Sequence, residues 1–244
     1  MTALLLINPN TTASITDLVL KHAKRFAARG TSLRAVSGAF GPRYIASRVG
    51  YAIAGHAAVD ALANDRGRKD AVVLACFGDP GLAALKEIAR VPVVGMAEAS
   101  ILQAAALGRR FSIVTGGARW KPMLEEFVAS QGLSARLASV RTVAPTGADI
   151  ARNPKAAMAL LAKSCANCAN QDGADVVILG GAGLAGLASK LRALVDVPVL
   201  DGVACAVSMA ESLARQKPAR SGVASAPVES IGLSKGLAKL IGSP

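Results

Sequence analysis

Short uninterrupted apolar runs alternate along this chain with longer stretches in which apolar residues return every three or four positions. The first run, Ala3-Leu-Leu-Leu-Ile7, has the length and character of a buried strand. It enters Asn8-Pro9-Asn10-Thr11-Thr12, a turn rich in capping residues. Ile15, Leu18, Val19, His22 and Phe26 then share one helical face, and Gly30 supplies a stop. Residues 32–36 predict a second strand. Gly41-Pro42 breaks the chain ahead of an Ala-rich helix over 46–64. A strand at 71–75, a helix over 81–90, a strand at 91–94 and a helix over 96–106 follow.

The pattern then restarts. Strands are expected at 111–115, 137–143, 176–180 and 197–200, and helices over 120–130, 154–170, 187–194 and 202–216. The tail, 221–244, ends in a short helical pattern expected to fold back on the first half. Residues 70–83 align without a gap onto 175–188, and Cys76 stands opposite Gly181. The expected fold class is therefore α/β. It comprises two similar domains, each a short parallel sheet flanked by helices, related by a pseudo-twofold axis. One domain takes residues 1–96 plus about 205–244, the other 97–204. Ligands of open α/β sheets bind beyond the carboxyl ends of the strands, so the cleft is expected between the halves. Asn8 and Gly116, and Cys76 and Gly181, are placed to face each other across it.

A length of 244 residues suits two small domains. Hydrophobic residues make up 52% and aromatics only 3%, so the core must be built from Ala, Val, Leu, Ile and Gly. The formal charge is +12, but its Lys and Arg are scattered without interleaved aromatics. That pattern reads as solvated faces that attract small anions, and argues against a nucleic-acid partner. No run approaches the roughly 18 apolar residues of a membrane span, and Ala3–Ile7 is too short for a signal-peptide core. The expectation is a cytoplasmic protein with no membrane partner. In that compartment Cys76, Cys165, Cys168 and Cys205 are thiols rather than disulfides. Cys165 and Cys168 fall in a helical pattern of small residues, and His22 and His56 have no ligand spacing to them. The pair reads as core packing, with no metal site, and His22 as a packed histidine.

The chain resembles the aspartate/glutamate/hydantoin racemase family. The matching residues are Ile7-Asn-Pro-Asn-Thr-Thr12, Gly41-Pro42 with Ile45, Ala75-Cys-Phe-Gly-Asp-Pro-Gly81, Leu179-Gly-Gly-Ala-Gly183 and Val197-Pro-Val-Leu-Asp-Gly-Val203. The resemblance implies a cofactor-independent homo-oligomeric enzyme with its site between two similar domains. It implies thiol-mediated proton transfer at a carbon next to a carbonyl or carboxylate of a small anionic or imide substrate. Racemising members use two cysteines, one on each face of the stereocentre. Cys76 matches the first, while the second falls at Gly181, and the family's paired threonines are half kept as Thr115-Gly116. By this resemblance Cys76 is the catalytic residue, and Asn8, Ile45, Phe77, Gly78, Gly117, Ala182 and Gly183 are substrate contacts.

Glu98, just after the fourth strand, is a candidate replacement acid or base. Its other reading is a helix-start carboxylate stabilised by the macrodipole. Asp79 reads as a turn residue before Pro80. Amides of the glycine-rich turn after Cys76 are expected to hold an anion and to lower the thiol's pKa. Three readings stay open: a racemase or epimerase, a one-thiol decarboxylase or isomerase of the same fold, and a small-molecule binding protein that has lost catalysis.

Overall fold

A computed structural model describes residues 1–143, 150, 153–216 and 227–242. Two four-stranded sheets form its frame. The first holds β1 (Ala3–Asn8), β2 (Ser32–Ser37), β3 (Ala71–Leu74) and β4 (Val93–Gly95) in the order β2-β1-β3-β4, all parallel. The second holds β5 (Phe111–Gly116), β6 (Leu137–Val143), β7 (Val176–Gly180) and β8 (Val199–Asp201) in the order β6-β5-β7-β8, again all parallel. The helices of the first half are α1 (Ala13–Phe26), α2 (Arg48–Asn64), α3 (Leu82–Ile88) and α4 (Met96–Leu107). The second half supplies α5 (Trp120–Ser130), α6 (Pro154–Asn170), α7 (Ala188–Leu191) and α8 (Gly202–Gln216). The short α9 (Lys235–Leu240) packs on α2, where Asn64 Nδ2 donates to Ser234 Oγ at 3.0 Å. The stretches 221–226 and 243–244 of the tail lie outside the described residues.

Alternation along the strands sorts the core into three layers. Leu4, Leu6 and Val73 of the first sheet and Phe111, Ile113 and Ile178 of the second point into one shared central core. Leu5, Ile7, Val72 and Leu74 face an outer core on one side, and Val114, Val177 and Leu179 face another on the opposite side. Cys165 and Cys168 are fully buried in the latter.

The fourth-strand helices cross over. α4 follows the first sheet but packs against β7, and α8 follows the second sheet but packs against β3 and β4. Each half therefore contributes one helix to the other.

Prolines set where the fourth strands begin. Pro92 and Pro198 have no N–H, and each lends only its carbonyl, to Val72 N at 2.8 Å and Val177 N at 2.9 Å. Hence β4 and β8 start just after each proline, at Val93 and Val199, two residues later than the expected 91 and 197. α7 ends at Leu191, short of the expected 194, because Leu194 N closes a tight turn on Leu191 O at 2.8 Å before the chain re-enters the sheet.

Candidate active site

The carboxyl ends of both sheets open on one cleft of about 520 Å³, part of it solvent. Asn10, Ile15, Tyr44, Ile45, Ala75, Cys76 and Phe77 form the wall from the first half. Thr115, Gly116, Trp120, Gly181, Ala182, Gly183 and Leu184 form the wall from the second. The pseudosymmetry is direct: β3 delivers Cys76 to one wall, and β7 delivers Gly181 to the other. No lining side chain among the described residues carries a formal charge.

Cys76, Ile45, Phe77, Ala182 and Gly183 thus lie together on the lining. Asn8, Gly78, Gly117 and Glu98 do not. Asn8 is buried behind the wall, where its Nδ2 donates to Asn10 Oδ1 at 3.0 Å and to Thr16 Oγ1 at 2.9 Å. Asn10 Oδ1 also accepts the Thr12 N–H at 2.8 Å. The asparagine on the cleft is therefore Asn10. Gly78 supports the wall from behind: its carbonyl accepts the Tyr51 hydroxyl at 2.8 Å, and a Cβ there would lie 2.6 Å from the Trp120 ring. Gly117 donates its N–H to Val143 O at 3.2 Å. Glu98 is ion-paired with Lys86 near the start of α4, which fits the helix-start reading.

Residues the motifs did not single out complete the site. Trp120, the sole tryptophan, opens α5 and donates from Nε1 to Ile45 O at 3.0 Å, fastening the 44–45 loop across the cleft. Tyr44 Oη donates to Gly116 O at 3.3 Å. Phe77 crosses between halves: a Cβ at Gly180 would lie 2.6 Å from its ring, so glycine there admits the aromatic. Trp120 was detectable in principle, as a lone tryptophan at the start of the helix that follows a strand end.

Two facts, one electrostatic and one steric, shape the chemistry. Burial, with the nearby Asp79 carboxylate adding to it, pushes the Cys76 thiol far above its ordinary range. Desolvation outweighs the expected help from the turn's amides, so the resting group is a thiol and not a thiolate. Tyr51 is raised to about 12 by burial, then by Asp79 and Cys76.

The second fact concerns residue 181. Gly181 has φ of +130°, which L side chains rarely adopt, and a Cβ there would lie 3.1 Å from Leu184 Cδ1 and 3.7 Å from Thr115 Oγ1. The far wall offers hydroxyl and backbone but no thiol. Among the described residues, the N–H groups of Phe77 and Ala182, one on each wall, have no protein acceptor.

Comparison with known proteins agrees with this architecture. The sequence model of the Asp/Glu/Hydantoin racemase family matches residues 4–210. The hydantoin racemase of Pseudomonas sp. (strain NS671) is 38% identical over 209 residues, covering 85% of this chain and 84% of that protein. Among solved structures, the allantoin racemase from Pseudomonas fluorescens superposes with a TM-score of 0.87 at 32% identity, covering 100% of this chain and 97% of its own. The allantoin racemase from Klebsiella pneumoniae gives 0.89 at 31% identity, covering 100% of both chains. With a doubled parallel α/β frame, a cysteine on the cleft between its halves and a match along most of its length, the chain belongs to the Asp/Glu/hydantoin racemase family and is an isomerase of the racemase class.

Proposed function

We propose that this isomerase racemises a small cyclic imide of the hydantoin class, moving a proton at the carbon beside a ring carbonyl, with Cys76 as the proton carrier on one face. The observation that carries this reading is the Cys76 thiol at the end of β3 on the lining of a cleft shared by both halves. The substrate class follows from the lining. A carboxylate buried without a cationic partner is costly, whereas a neutral ring imide needs only hydrogen bonds. Asn10 can donate one: its Oδ1 is held by Asn8 and Thr12, which leaves its NH₂ as the end available to a substrate oxygen. The N–H groups of Phe77 and Ala182, which have no acceptor among the described residues, can receive the oxygen charge that develops as the carbon loses its proton.

Inversion then needs a second carrier on the far face. With Gly181 at that wall and Glu98 ion-paired with Lys86, solvent beside Thr115 Oγ1 is the proposed partner. In one direction solvent takes the proton from the far face, an enolate forms, and the Cys76 thiol reprotonates the near face. The reverse direction uses the Cys76 thiolate as base and solvent as acid. The two walls are read as belonging to two domains, 1–96 with about 205–244, and 97–204, since α4 and α8 cross to the opposite sheets.

Gly181 favours a second reading: proton delivery by Cys76 to one face only, without inversion. Cys76→Ala tests both. Turnover of a single-enantiomer hydantoin in deuterated water, followed by circular dichroism for inversion and by mass spectrometry for deuterium uptake, is expected to fall at least about a hundredfold. Unchanged turnover would remove both readings.

A further inference from the structure

The repeat places a buried carboxylate differently in each half, yet delivers it to the same kind of place. In the first half Asp79 sits in the loop that carries Cys76, and Gly95 precedes α4. In the second half Leu184 stands at the position equivalent to Asp79, and Asp201 at the position equivalent to Gly95. The Asp79 carboxylate accepts the N–H of Ala97 at 3.0 Å and of Glu98 at 2.7 Å, the second and third residues of α4. The Asp201 carboxylate accepts the N–H of Val203 at 2.9 Å and of Ala204 at 3.3 Å, the second and third residues of α8. Its other oxygen accepts the N–H of Gly186 at 2.6 Å, from the loop that has just carried the cleft wall.

Each junction joins the two halves, because each helix it grips is seated on the opposite sheet. Asp79 ties the Cys76 loop to α4, which packs against β7. Asp201 ties the loop after β7 to α8, which packs against β3 and β4. Local structure is shaped to allow this. Asp79 takes a left-handed φ of 54°, and its own N–H donates to Cys76 O at 3.1 Å. A Cβ at residue 95 would collide with the Asp79 carboxylate, so glycine there makes room for a cap that arrives from another segment. Carboxylates at helix starts are held by charge-assisted hydrogen bonds and by the dipole, and both of these are almost wholly buried, at 2% and 4% exposure.

We propose that Asp79 and Asp201 are paired positioning residues: two crossed clasps that fix the separation of the cleft walls and so keep Cys76 shielded. The inference rests on the cleft geometry and on neither chemical reading of it, so its test does not use turnover. Native wild type, D79N and D201S are alkylated with iodoacetamide, and each thiol is followed by mass spectrometry. D79N keeps the shape and loses one acceptor. D201S keeps a cap for α8 but releases Gly186.

Cys76 is expected to react about tenfold faster or more in each variant, as a loosened wall opens locally. Cys165 and Cys168, in the outer core of the second half, are expected to stay at wild-type rates. D201S is the decisive arm, since residue 201 holds the loop behind the wall opposite Cys76, and it carries the test alone should D79N fail to fold. Cys76 reacting at the wild-type rate in D201S would overturn the proposal. So would a parallel rise at all three thiols, the mark of general destabilisation.

Discussion

At residue 181 the backbone decides what the far wall can carry. A φ of +130° suits glycine, and any side chain there must strain the turn and press on Leu184. Gly181→Ala is expected to lower stability by about 1 kcal/mol or more, read as a lower urea midpoint. An unchanged midpoint would show that the turn accepts an L residue without cost. The same residue scale explains why two asparagines of one turn differ in role. Asn8 is spent on Asn10 and Thr16, and only Asn10 reaches the cleft.

Asp79 is equally particular. Burial raises its carboxyl to about 7, with Glu98 adding to the rise and the amides of Ala97 and Glu98 opposing it; Tyr51 and Cys76 are its other titratable neighbours. A carboxyl raised in the folded state contributes stability that is fully present below its unfolded pKa and lost as pH rises through the folded value. Wild type is therefore expected to lose stability relative to D79N between about pH 4 and pH 7, measured as the difference in urea midpoints across that range. A difference independent of pH would contradict the raised value.

Among the elements, strands and long helices were legible in the sequence because their signal is local. Apolar runs of strand length mark β1, β3, β5 and β7, and the three-to-four-residue return of apolar positions marks α1 and α8. The duplicated motif made the pairing of the two halves legible as well. α7 was overestimated because its periodic residues continue past the turn at Leu194, and hydrogen bonding, not hydrophobicity, ends it. Of the cleft lining, Ile45, Cys76, Phe77, Ala182 and Gly183 were legible because a motif carries them. The site was illegible where the role depends on contacts between segments distant along the chain. Trp120 bonding to Ile45 is such a case, and so is Asp79 capping α4. No local pattern distinguishes that aspartate from an ordinary turn residue before proline.

At the scale of the whole molecule, a strongly basic exterior surrounds a cleft whose described lining bears no formal charge. Its net charge of +12 draws anions to the surface, while a lining without formal charge is the ground for proposing a neutral or weakly acidic ring as substrate. Among the described residues, no helix is long and apolar enough to cross a membrane. The sole tryptophan lies on the cleft, so a substrate-like hydantoin is expected to change Trp120 emission saturably. A ligand that binds without altering that emission would sit elsewhere.

The central claim is inversion with Cys76 as one proton carrier and solvent as the other. It is tested most directly by incubating one enantiomer of a 5-substituted hydantoin in deuterated water with wild type and with C76A, following configuration by chiral chromatography and deuterium by mass spectrometry. The account predicts inverted product carrying deuterium with wild type and neither change above background with C76A. Deuterium entering with configuration retained throughout, or inversion undiminished in C76A, would contradict it.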